Sequence, residues 1–100
     1  MATTIITKNV YVGPLQGTAV TFSEINTLTN SAPESTTNVN VSGAQVGMIP
    51  VVTFVNTLDT GVVVKQQPRV TAAGQISIYL FNELTTKITP TANEILVRLL

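Results

Sequence analysis

The chain has 100 residues, no cysteine, no histidine, and five acidic against five basic residues, giving a formal net charge of zero. Those counts remove disulfides and thiolate metal sites, the usual general base at neutral pH and the commonest metal ligand. Charged residues are 10% of the chain, against about 25% in an average soluble domain, and Lys8, Lys65, Arg69, Lys87 and Arg98 stand singly, without the basic field that nucleic-acid binding needs.

A chain of this length reads as one domain that buries roughly two-thirds of its unfolded surface. Threonine, valine and asparagine dominate. Branching at Cβ suits Thr and Val to a pleated surface, while Asn, Gly and Pro punctuate turns. No segment carries helical apolar spacing with caps, so the expected fold is all-β. No run of 18 apolar residues is present, so no membrane span is expected. The start, MATTIITKNV, lacks a basic region followed by an apolar stretch, so synthesis in a cytoplasm is expected.

The first expected strand is Asn9–Val12, closed by Gly13-Pro14. Gly17 opens a second, Thr18–Phe22, with Ala19, Val20 and Phe22 as its apolar members. Residues 23–36, SEINTLTNSAPEST, read as a polar loop with isolated Ile25 and Leu28, and with one helical turn at Ser23–Thr27 capped by Ser23. From Thr36 the alternation sharpens, with Val39 and Val41 set against Asn38, Asn40 and Ser42. After Pro50, VVTFV puts Val51, Thr53 and Val55 on one side and Val52 and Phe54 on the other.

NTLDTG is read as a turn in which Asp59 hydrogen-bonds its own backbone. VVVKQQ follows, and Pro68 limits its pairing as a central strand. RVTAAGQISIYLF is a hairpin, with Gly74 supplying a positive φ. Ile76, Ile78 and Leu80 share one side of its second strand, yet Tyr79 and Phe81 put aromatic rings on the other. NELTTKITPTAN connects to a last strand, EILVRLL, with Ile95, Val97 and Leu99 on one side and Leu96 and Leu100 on the other.

Seven or eight short strands suit a single antiparallel β-sandwich, jelly-roll-like, in which two sheets bury each other's apolar faces. The compositional break falls near residue 35, dividing an extended N-terminal arm (1–35) from a β-sandwich domain (36–100) in one compact unit. The five carboxylates, Glu24, Glu34, Asp59, Glu83 and Glu94, are dispersed, and neither a calcium loop nor a phosphate loop is present. The expectation is no catalytic residue, no metal and no cofactor. The surplus apolar surface instead marks Val63, Tyr79, Phe81, Leu96, Arg98 and Leu100 as a candidate oligomer interface, with Glu94 and Arg98 setting register.

The motifs of residues 37–100 resemble a small β domain of tailed-phage virion proteins, found in capsid decoration proteins, head fibres and some tail-fibre ends. The features that carry the resemblance are Gly43-Ala44-Gln45-Val46-Gly47, Gly61, Arg69-Val70, Asn82, Pro90 and Val97-Arg98. Met48 and Gly74 depart from it at turns, where the family commonly has Asp and Asn. The resemblance implies a structural virion component that is not an enzyme. It would form a homotrimer on the capsid exterior, with the major capsid protein as partner and neither nucleic acid nor membrane. In that reading residues 1–35 bind the shell or a neighbouring subunit. The chain is short for a fibre shaft, which favours a decoration (cement) protein over a tail-fibre or receptor-binding tip.

Overall fold

A computed structural model describes residues 15–27 and 33–100. Six strands are found among them: β1 (Gln16–Val20), β2 (Glu34–Asn40), β3 (Pro50–Phe54), β4 (Val62–Ala72), β5 (Gln75–Asn82) and β6 (Asn93–Leu99). They form two three-stranded antiparallel sheets, ordered β1-β6-β3 and β2-β5-β4. The chain changes sheet at every connection except the β4–β5 hairpin. This nested order is that of a jelly roll reduced to six strands. The expected strand at Asn9–Val12 and the isolated Leu28 lie outside the described residues.

The period-2 alternation of each central strand decides the packing. Ile76, Ile78 and Leu80 of β5 and Ile95 and Val97 of β6 have no solvent exposure at all. They meet Val20, Val39, Val62, Val70 and Leu99 in one core, with Val52, Phe54 and Met48 against its rim. The faces read for β3, β5 and β6 are therefore those of the folded chain.

Two expectations are corrected. Residues 34–36 are not loop: Glu34, Ser35 and Thr36 pair with Phe81, Leu80 and Tyr79. Segment Ser23–Thr27 is not a helical turn. Ile25 forms a β-bridge with Ile88, through Ile25 N–H to Ile88 O at 2.7 Å and Ile88 N–H to Ile25 O at 3.2 Å. Its side chain, 1% exposed, belongs to the core; burying that isoleucine outweighs one turn of helix, which is marginal alone. Upstream of residue 35, β1 pairs along β6 from Gln16↔Val97 to Val20↔Asn93.

Pro68 lies inside β4, an edge strand of its sheet, where a missing N–H is tolerated. The β4–β5 register slips between Val64 and Gln66 and again between Gln66 and Arg69. Such bulges bend the strand, which is why Val64, in register with the inward Leu80, stands 41% exposed. Gly74 closes the hairpin at φ 74°.

Candidate functional site

Side-chain hydrogen bonds concentrate where loops meet strand ends. Asn82 closes β5 with no exposure. Its Nδ2 donates to Asn26 O at 2.9 Å and Thr86 O at 3.0 Å, and its Oδ1 accepts Leu84 N–H at 2.9 Å. Asn93, opening β6, donates from Nδ2 to Asn56 O at 2.8 Å and accepts Asn56 N–H at 3.0 Å. Asp59 Oδ2 accepts both Thr91 N–H and Thr91 Oγ1, at 3.0 and 3.1 Å. Its carboxylate therefore clamps the 83–92 connection, where the sequence reading had it capping its own turn. Each of these groups holds a loop in place. Among the described residues no three Asp or Glu side chains gather around a common point.

The two outer faces are the remaining large surfaces, and they differ. On the β2-β5-β4 sheet the outward residues of β5 are Gln75, Ser77, Tyr79 and Phe81. Ser77 is buried, donating to Asn38 Oδ1 at 2.8 Å and lying 2.8 Å from Thr71 Oγ1. A hydroxyl has one proton, so Thr71 donates to Ser77, and a polar ladder crosses all three strands. Further along, Lys65 of β4 pairs with Glu34 of β2. By register this ion pair spans β5 between the levels of Phe81 and Tyr79. The aromatic rings are half-buried, so the chain itself supplies much of their cover.

On the β1-β6-β3 sheet the outward residues are Glu94, Leu96 and Arg98 of β6, Gly17 and Ala19 of β1, and Val51 and Thr53 of β3. The alternation continues past the strand ends. Ile49 exchanges backbone hydrogen bonds with Leu100, and Val55 N–H donates to Glu94 O. Leu15, Ile49, Val51, Val55 and Leu100 are 41–54% exposed there, five of the eight large apolar side chains exposed among the described residues. No hydrogen-bonded ladder or ion pair among the described residues covers this face.

The six residues singled out from sequence therefore do not form one patch. Val63, Tyr79 and Phe81 face out from one sheet, and Leu96, Arg98 and Leu100 from the other. Opposite faces of a sandwich, each stacked on the next copy, give a contact that repeats without closing into a ring of three. Sequence reading missed Leu15, Ile49, Val51 and Val55 as surface residues. The signal was available for β3, whose VVTFV is apolar on both sides just as β6 is.

A third feature is a cleft of about 580 Å3 between residues 46–50 and the bulged part of β4. Its walls include Val46, Met48, Ile49 and Pro68, with Arg69 the one charged side chain. It holds no acid or base for chemistry. Through Ile49 it runs into the apolar face. No family model, no curated protein and no solved structure matches this chain.

Proposed function

We propose that the chain is a structural virion protein: a capsid decoration (cement) protein that assembles as a homotrimer on the exterior of a tailed-phage head and stabilises the shell. The observation that carries this reading is the apolar face of the β1-β6-β3 sheet, which no other described residue covers. The largest apolar patch on a monomer is often a functional one. Zero net charge lowers the repulsion between copies. The phage-like motifs of residues 37–100 supply the kind of assembly, and jelly rolls recur in viral capsid domains, although fold alone does not assign function.

Free strand edges support the same reading. Among the described residues β1, β2, β3 and β4 each have one unpaired side in their sheets, where an extended segment can add through backbone hydrogen bonds. The receptor-binding alternative needs ring-bearing loops, and 41–49, 55–61 and 83–92 contain no aromatic residue.

Stoichiometry in purified particles tests the proposal. A decoration protein is present at every equivalent position of the capsid lattice and dissociates from the head without opening it. Only a few copies per particle, or copies located at the tail, would sink it.

A further inference from the structure

The outer side of β6 reads Glu94, Leu96, Arg98: an acid, an apolar residue and a base at alternate positions of a central strand. At about 3.3 Å per residue the two charges lie roughly 13 Å apart, too far to pair within one strand. Neither is in an ion pair among the described residues. Turning the strand end for end about Leu96 exchanges acid for base. We propose that this face binds the same face of a second copy, about a twofold axis that crosses β6 at Leu96, perpendicular to the strands.

The axis follows from charge. Face-to-face packing of two copies has two simple twofold solutions. An axis along β6 places Glu94 on Glu94 and Arg98 on Arg98. An axis across the strands makes the two β6 strands antiparallel and places each Glu94 against the partner copy's Arg98. Only the second is electrostatically self-complementary, and like charges in contact select strongly against the first.

Side-chain size points to the same axis. Gly17 and Thr53 are in register with Leu96 and so lie along the axis. Leu15 and Ala19 flank Gly17 at equal distances, so the antiparallel pairing sets a large side chain over a small one on each side. Val51 and Val55 flank Thr53 in the same way and meet each other. Gly17 has no side chain, and Glu94 Oε1 and Leu96 lean over it, 3.5 and 3.7 Å from where a Cβ would stand, so β1 adds little height to the face. Two such faces can approach closely.

Area sets the strength. Three strands about 4.8 Å apart and seven residues long make a face of only a few hundred Å2, below the roughly 800 Å2 per partner of a standard interface. The pair is weak when free in solution and becomes populated when other contacts hold copies close together. The inference shares its face with the virion reading but is tested apart from it, because the test below needs no particle.

The chain lacks cysteine, so one introduced thiol reports one contact. Thr53→Cys in the full chain, at high protein concentration, is treated with a short bis-maleimide whose reach matches the ~10 Å between packed sheets. Covalent dimers are expected. Glu94→Arg or Arg98→Glu added singly lowers their yield about tenfold, and the double exchange restores it. Melting curves of these exposed-site variants confirm equal folding, and light scattering follows the same series without a cross-linker. Absence of cross-linked dimer from the Thr53→Cys chain, a yield indifferent to either charge reversal, or a double exchange no better than the singles would each overturn the proposal.

Discussion

On the β2-β5-β4 sheet the chain closes over its own outward side chains; on the β1-β6-β3 sheet the described residues do not. Both sheets have an apolar central strand between two edge strands. In the first, Asn38, Ser77 and Thr71 form a hydrogen-bonded row, and Glu34 reaches Lys65 across the aromatic rings. In the second, Gly17 and Ala19 are too small to shelter Leu96, and Ile49, Val51 and Val55 extend the apolar surface. Apolar residues on the second side of a strand therefore have two separate explanations in one molecule. Those of β5 contribute to the chain's own stability, and those of β6 and β3 remain available to a partner.

The comparison is broken most severely at the ends of the central strands. Asn82→Ala leaves Leu84 N–H and the carbonyls of Asn26 and Thr86 without the partner they have now. Stranded buried polar groups cost about 1–3 kcal/mol each at the upper end of such effects, so a loss of roughly 3 kcal/mol in denaturant unfolding is expected. Asn93→Ala removes a similar pair of bonds from Asn56 at a site nearer solvent, and a smaller loss, about 1–2 kcal/mol, is expected there. Equal losses would show that the two sheets are tied down alike.

Turn glycines separate the sheets from their connections. Gly61 has φ 88°, and a Cβ there would fall inside the Leu84 side chain. Gly61→Ala combines backbone strain with overpacking, for about 2–3 kcal/mol. Gly74 has φ 74° but open space around it. Asn tolerates that conformation, so Gly74→Asn should change stability by under about 0.5 kcal/mol. Thermal melts of the two variants side by side check both values.

Much of the fold was legible because alternation reports which side of a strand is buried. It does not report which sheet the strand joins. That is why residues 63, 79 and 81 and residues 96, 98 and 100 were grouped as one interface when they lie on opposite faces. β2 was partly hidden because Ser35 and Thr37 stand at its inward positions, and no apolar residue marks the inside until Val39. Ile25 looked like a stray hydrophobe in a polar loop. Its role depends on Ile88, 63 residues later, and on backbone bonds to it. Asp59 was read as bonding its own turn, but its carboxylate meets Thr91, which is equally remote in sequence.

The outer faces themselves are told apart by milder substitutions. Phe81→Ala removes a half-buried ring from under its cover and should cost about 1–2 kcal/mol. Val51→Thr, on the uncovered face, should leave stability within about 0.5 kcal/mol of the parent while lowering self-association measured by light scattering at high concentration. If Val51→Thr destabilised the isolated chain as much as Phe81→Ala, the division into a self-covered and an uncovered face would be wrong.

The smallest effect is expected from the Lys65–Glu34 pair, although it is the only ion pair among the described residues. Both side chains are 42% exposed, so water screens their attraction, and each long side chain loses freedom when held in place. Pairs of this kind typically contribute about 0.2–1 kcal/mol. Lys65→Met keeps the apolar stem that lies across β5 and removes the charge; Lys65→Ala removes both. If the pair covers the rings chiefly through that stem, Lys65→Met should melt like the parent in both low and high salt, and only Lys65→Ala should lower the transition. An equal loss in both variants, abolished by salt, would show instead that charge, and not packed hydrocarbon, closes this face.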